Sequence, residues 1–379
     1  MPKAEIIHPS ALTDTEIVAW RRLQLDAPEL GSPLLGPGFA QAVGAVRQDA
    51  RVAVWREGRR SVGFLGFHRV GRQSARPIGA PFSDYQSLIS GPGFPSAAEA
   101  LDGAGLSRMR LSGLLDPHQI FPDRLDPVAA HRIDLAAGAE AYLETLWAGG
   151  RNRWRNFKRY SRRLAREFGP LDLRAPDHAQ DTFERLLGWK RTQLAGTGLH
   201  DFTAASWVRE LMQRLFETQD AGFGGLMISL YAGDRPVAAH FGVVQDGWYH
   251  PWLGAYDPEL ASFSPGMVHQ VLAAVGAAGI GVHTYDLGPR ADRSKTMFAN
   301  TSVMVGEGVV TGARHSSSLA AGASRLISRA PGPFGLVERV RRRWEHVAAV
   351  ELTFGRRMSG MALAAAALNR RIDAWSKAA

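Results

Sequence analysis

The residues with chemistry to offer gather between Leu226 and Lys295. His240 stands inside an otherwise apolar run, Val237 to Val244. An imidazole with an ordinary pKa of roughly 6.5 suits base work or substrate contact near neutrality, and the same position suits a hydrogen-bonded core histidine. Asp286 closes another apolar run, at the carboxyl edge where sites of α/β proteins collect, and reads equally as a helix cap or a structural ion pair. Tyr256 and Asp257 end a third run; they either line a mouth or, through Asp257-Pro258, make a plain turn. Ser264-Pro265-Gly266-Met267 then opens an apolar helix. Ser264 is a candidate cap, and Pro265 fits the first helical position, where no amide donor is needed. Ser264, Gly266 and Met267 therefore frame a helix N-terminus, whose unpaired amides and dipole attract an anion. Arg290 and Lys295 follow, as phosphate contacts or as ordinary surface charge.

The elements that must position these groups are legible around them. Leu226 to Tyr231, Val237 to Val244 and Trp248 to Tyr256 read as three strands, separated by Gly233-Asp234 and Asp246-Gly247, the latter a strong hairpin signal. A helix from Met267 to about Ala278 and a strand from Val282 to Leu287 complete a βββαβ unit. The first half echoes it: Val52 to Trp55, a turn at Gly58 and Ser61 to His68 repeat the order, with Gly58 falling on Gly233 at a constant offset. A helix over Ala97 to Gly105 and a strand over Arg108 to Leu111 follow. Helices over Asp181 to Leu194 and Ala204 to Glu217 flank a connection, Ala195 to Phe202, that reads as a loop beside a site. After Asn300 the periodicity loosens, and Thr311 to Ser324 reads as a linker.

Arg151 to Arg166 is the most basic stretch. Trp154, Phe157, Tyr160 and Leu164 recur at spacings of one helical stripe, and the arginines cover the other faces. Either this is a solvated helix face or it contacts an anion; arginine's bidentate geometry favours phosphate. Over the 379 residues the net charge is +9, which points to an anionic partner. The absence of cysteine excludes disulfides and thiolate chemistry. No apolar run approaches the roughly 20 residues of a spanning helix, so a cytoplasmic protein is expected. His8, His118, His131, His250, His269 and His283 lack ligand spacing, so no metal site is expected.

Several motifs occur in a distinctive order: Ser32-Pro33-Leu34, Pro77-Ile78-Gly79, Asp84-Tyr85-Gln86, Trp189-Lys190, the basic helix, Ser264-Pro265-Gly266, Tyr285-Asp286-Leu287-Gly288 and Lys295. With the βββαβ order, they resemble the GNAT acyltransferase fold, and more closely the CelD/BcsL-type acetyltransferases of bacterial exopolysaccharide synthesis, which are Fem-like double-GNAT proteins. The resemblance covers about residues 15–305. It implies a mixed α/β chain of two tandem GNAT-like domains with mostly antiparallel sheets, at 1–135 and 136–310, and a linker with an arginine-rich helical appendage at 311–379.

It further implies an acetyl-CoA-dependent N-acetyltransferase, without a metal, acting on an amino sugar of a holdfast- or cellulose-like polysaccharide or on its nucleotide- or lipid-linked precursor. His240, Asp286 and Tyr256 would then be catalytic, and Ser264, Gly266, Met267, Lys295 and Arg290 would hold the donor. Asp84 and Tyr85 would reach the acceptor, with Trp189 and Lys190 facing the cleft between the halves. The family's pyrophosphate loop carries Arg or Gln three residues before its first glycine; here Phe263 and Val268 take the outer positions and only Gly266 fits. That departure leaves two alternatives: an aminoacyl-tRNA donor, as in the Fem branch, or a non-catalytic scaffold that kept the fold. In the tail, Arg341 to Arg343, Arg356-Arg357 and Arg370-Arg371 offer sites for cyclic di-GMP. With Leu352, Phe354, Met358, Met361 and Leu363 they also offer contact with an anionic inner-membrane surface, or simply a helical pair packed on the second half.

Overall fold

The computed structural model describes residues 3–121, 125–197, 199–218, 222–315 and 333–362. The first half supplies strands β1 (Glu5–Ile7), β2 (Ala50–Glu57), β3 (Arg60–Val70), β4 (Ser74–Pro77), β5 (Ile89–Ser90), β6 (Arg108–Leu114) and β7 (Asp126–Asp134). The second supplies β8 (Leu171–Arg174), β9 (Gly224–Ala232), β10 (Arg235–Gln245), β11 (Trp248–Tyr256), β12 (Thr284–Pro289) and β13 (Thr301–Thr311). All join one mixed sheet in the order β1-β2-β3-β4-β6-β13-β7-β12-β11-β10-β9-β8, with β5 paired to β3.

The repeat is topological and deep. Gly58 and Gly233, Gly113 and Gly288, and the starts of β7 and β13 stand the same 175 positions apart. In each half a β-hairpin leads through a third strand and a helix to a strand that pairs in parallel with the third: β4 with β6 and β11 with β12. The last strands are exchanged: β7 pairs with β12, β13 with β6, and the two with each other. The loosened pattern after Asn300 therefore corresponds to an eleven-residue strand in mid-sheet. Its Thr, Ser and Gly residues obscure the alternation that its pairing on both edges imposes.

The helices are α1 (Asp14–Leu25), α2 (Pro37–Val46), α3 (Ala97–Gly103), α4 (Gly138–Ala148), α5 (Arg151–Phe168), α6 (Gln180–Thr197), α7 (Ser206–Glu217), α8 (Pro265–Gly279), α9 (Arg293–Phe298) and α10 (Pro333–Val350). α6 runs through Gly196, so the expected loop begins later than the glycines suggest. One core is common to both halves: Phe39, Val54 and Phe64 share it with Phe183, Leu211, Phe241 and Leu253. The other face of the second half packs Val271, Ala274 and Ala277 of α8 and Leu164 of α5 against the sheet. The Trp154–Phe157–Tyr160–Leu164 stripe packs inward as its spacing requires, with Leu164 fully buried and Trp154 at the rim.

α10 docks on both halves. Trp207 Nε1 donates to the Val350 carbonyl (2.8 Å), Arg47 to that of Ala349 (3.3 Å), and Arg110 pairs with Glu345 (3.2 Å). Arg341 also pairs with Glu345, and Arg357 donates to the Glu351 carbonyl; Leu363, Arg370 and Arg371 lie outside the described residues. Among the described residues no helix is long and apolar enough to cross a membrane.

Candidate functional site

β11 and β12 pair over only two positions, Trp248 with Thr284 and Tyr249 with Tyr285, and then diverge. Beyond Tyr249, β11 follows β10, while β12 turns onto β7. The result is a wedge in the sheet, opening at the carboxyl end of both strands, where α8 begins. On the wedge's wall, Gly242 pairs with Pro251 and Phe241 with Leu253, leaving Trp252 as the extra residue of a β-bulge. Gly242 permits it: a Cβ there would lie 2.0 Å from the His250 carbonyl oxygen.

Strand alternation sorts the site residues onto two faces. On the α8 face, His240 of β10 bonds the Tyr285 hydroxyl through Nδ1 and meets His269 of α8 edge to face at 4.4 Å. Its Nε2 lies beside Gly254, where a Cβ would approach within 2.8 Å. Burial, with His269 and Lys190 adding to it, holds His240 well below the ordinary imidazole range, so its ring is neutral. Lys190 of α6 reaches the Gly254 carbonyl from the other side of the sheet (3.4 Å), and burial lowers its pKa. Trp189 is half-buried against the shared core.

On the opposite face Asp286 is fully buried at the third position of β12 rather than at its end. It accepts from the Tyr85 hydroxyl (2.8 Å), the Gly288 amide (2.8 Å), Trp248 Nε1 (3.1 Å) and Arg132 Nε (3.2 Å). His250 lies 3.6 Å from it through Nδ1 and pairs with Asp84 through Nε2 (3.1 Å). Burial opposes charge on His250, but the two carboxylates outweigh it and raise its pKa to about 9. Burial likewise pushes Asp286 up, and His250 and Arg132 more than reverse this. Asp84 is the solvent-facing end of the chain, with 42% of its side chain exposed. The buried Asp286 thus organises the network, and Asp84 presents it.

At the rim, Ser264 does not cap α8. It adopts a left-handed conformation (φ 51°), and no side chain caps the helix. Arg163 of α5 lies over Phe263 (4.2 Å) and donates to the Ser262 carbonyl, so one guanidinium group flanks the helix start. A Cβ at Gly266 would come 3.1 Å from the Tyr256 ring, which stands exposed at the end of β11 beside the start of α8. At the wedge's base the Tyr249 hydroxyl and the Gln270 amide nitrogen are buried with no hydrogen-bond partner among the described residues. Lys295 donates to the Pro289 carbonyl (2.9 Å) and Arg290 pairs with Glu307 (2.8 Å), both just past the carboxyl end of β12.

Residues 151–296 match the family model described as an acetyltransferase (GNAT) domain. The second half is thus similar to a GNAT domain over this stretch. Among solved structures, FemX aligns over 80% of this chain and 96% of its own at TM-score 0.51 and 11% identity, a likeness of fold. L-PGS from Bacillus licheniformis aligns over 87% and 97% at 0.48 and 11%, and a tandem GNAT protein from the clavulanic acid biosynthesis pathway over 82% and 98% at 0.43 and 12%. No curated protein sequence matches. The fold is a double GNAT-like one, and its second half carries the wedge, the bulge and the open helix.

Sequence reasoning passed over His250 and Arg132. His250 shares a strand face with Trp248 two residues earlier, a usable signal; Arg132 lies on β7, which gave none.

Proposed function

We propose that the protein transfers an acetyl group from acetyl-CoA to the amine of an amino sugar in a bacterial exopolysaccharide or its nucleotide- or lipid-linked precursor. The observation that carries this is the acetyltransferase-domain match over 151–296, on a half where wedge, bulge and uncapped helix start converge. Acetyl-CoA supplies an activated thioester carbonyl. The residues fit such a group: Gly266 leaves room beside Tyr256, the α8 amides and Arg163 suit phosphate, and the Tyr249 hydroxyl and Gln270 amide suit polar groups within the wedge. The bulge leaves β11 with backbone groups outside the regular ladder, and such an amide can stabilise a developing oxyanion. His240 is the base of this reading, and passing the proton an attacking amine must lose on to water spares the buried ring a lasting charge. Asp84 can attract the cationic amine from the opposite face. The sugar assignment rests on the resemblance of the sequence motifs, and a peripheral place at the inner membrane on the exposed Leu352, Phe354 and Met358 beside Arg356.

Calorimetric titration with acetyl-CoA tests the donor. Micromolar binding that Gly266→Trp abolishes, with acetylation of D-glucosamine, is the expected result; a folded protein that binds neither acetyl-CoA nor CoA refutes it. One observation favours a second reading, aminoacyl transfer from charged tRNA. Arg155, Lys158, Arg159, Arg162, Arg163 and Arg166 of α5 are exposed, and none forms an ion pair among the described residues. Tight binding of tRNA, falling steeply with salt, would favour it.

A further inference from the structure

The first half's wedge is filled by the chain itself. β4 and β5 both pair along β3, as β11 pairs along β10, but between them residues 78–88 leave the sheet. This strap lies where the second half has the single bulge residue Trp252. Within it Gln86 bridges in parallel to Leu114, its amide donates to the Gly113 carbonyl (3.0 Å), and its carbonyl accepts from Leu115 (2.9 Å). The Gln86 side-chain oxygen accepts from the amides of Ser112 (2.8 Å) and Gly113 (3.0 Å). A Cβ at Gly113 would fall 1.9 Å from the Asp84 carbonyl oxygen, so only glycine admits the strap at this distance.

The strap's other side chains enter the second half. Phe82 packs on Trp252 (5.7 Å) and Phe202 (5.2 Å), Asp84 pairs with His250, and Tyr85 with Asp286. These contacts lie on the sheet face opposite α8, so the strap and the donor helix address the wedge from its two sides.

We propose that Gln86 and Gly113 are positioning residues, which lock the strap into the first half's wedge and so fix Asp84 at the acceptor side of the second, where it binds a cationic amine. This rests on the acyl-transfer reading. The device explains what a half without an open wedge contributes: its cleft holds an internal peptide, and that peptide carries the acceptor contact.

The test uses the full chain and two variants, Gln86→Leu and Gly113→Ala, beside Asp84→Asn and the double variant Gln86→Leu/Asp84→Asn. The first readout needs no substrate. In histidine-labelled protein, with the His250 signal assigned through His250→Gln, the wild-type imidazole should titrate at about 9, held up by Asp286 and Asp84. The groups facing it are Asp84 and Tyr85 of the strap and Asp286 of β12, with Arg132 of β7 behind Asp286. Releasing the strap should move the midpoint down toward the ordinary value of roughly 6.5, as Asp84→Asn does. The second readout is KM for D-glucosamine. It should rise about tenfold in each strap variant, the loss of one charge-assisted contact, while the acetyl-CoA Kd stays fixed. The double variant should be no worse than Asp84→Asn alone. An unmoved His250 midpoint in both strap variants, additive losses in the double variant, or loss of cooperative melting in Gln86→Leu would overturn the proposal. Failure of the wild type to bind acetyl-CoA would sink the acyl-transfer reading alone, since the histidine titration would still judge the strap.

Discussion

Asp286→Asn tests the account of the network most directly. The substitution keeps shape and removes one charge from a network of four, in which Asp286, His250 and Arg132 are buried and Asp84 reaches solvent. Removing one partner of a buried ion pair costs about 3–5 kcal/mol, because the opposite charge stays buried without compensation. The same network makes stability depend on pH. Folding raises the pKa of His250 from 6.5 to about 9, so its contribution is fully present below pH 6.5 and is lost as pH rises through 9. A rise of that size corresponds to about 3 kcal/mol, since a tenfold change in proton affinity is worth about 1.36 kcal/mol. Urea denaturation of both proteins at pH 6 and pH 9.5 measures both effects, and Trp248, whose indole bonds Asp286, is a fluorescence reporter inside the network. The variant should lose about 3–5 kcal/mol at pH 6 and most of the wild-type difference between the two pH values. A loss below about 1 kcal/mol at pH 6, the size of an ordinary exposed pair, would refute the reasoning. So would equal pH dependence in the two proteins.

Three further outcomes are expected. Gly242→Ala forces a methyl group against the His250 carbonyl; overpacking of this kind costs about 1–3 kcal/mol, and a lower melting temperature together with weakened acetyl-CoA binding would show the bulge displaced. His240→Ala should lower kcat toward D-glucosamine at least about a hundredfold while leaving the acetyl-CoA Kd unchanged, the pattern of a lost general base; an equal loss of donor affinity would mark His240 as packing. Trp207→Phe removes the indole bond to Val350 and should weaken α10 docking by about 1 kcal/mol, read as faster proteolytic cleavage after α10 with the rest of the chain intact.

The sequence by itself determined the local units. The Asp246-Gly247 turn fixed the β10–β11 hairpin because both residues adopt the positive φ such a turn requires, and the apolar runs fixed β9 to β11 to within two residues. Helical spacing placed the Trp154–Leu164 stripe inward. Ser264 misled because a serine before proline matches a cap in type, while in its left-handed conformation the side chain makes no capping hydrogen bond. Only the tertiary structure decided the rest. The exchange of β7 and β13 between the halves has no local signal, since strand partners are set by where chains meet. The pairing of Asp84 with His250, 166 residues apart, and the burial of Asp286 among donors from four segments follow from that exchange, which brings β7 and the strap against β12. A charge alone in sequence reads as surface or catalytic; it becomes a structural hub only where folding surrounds it with partners.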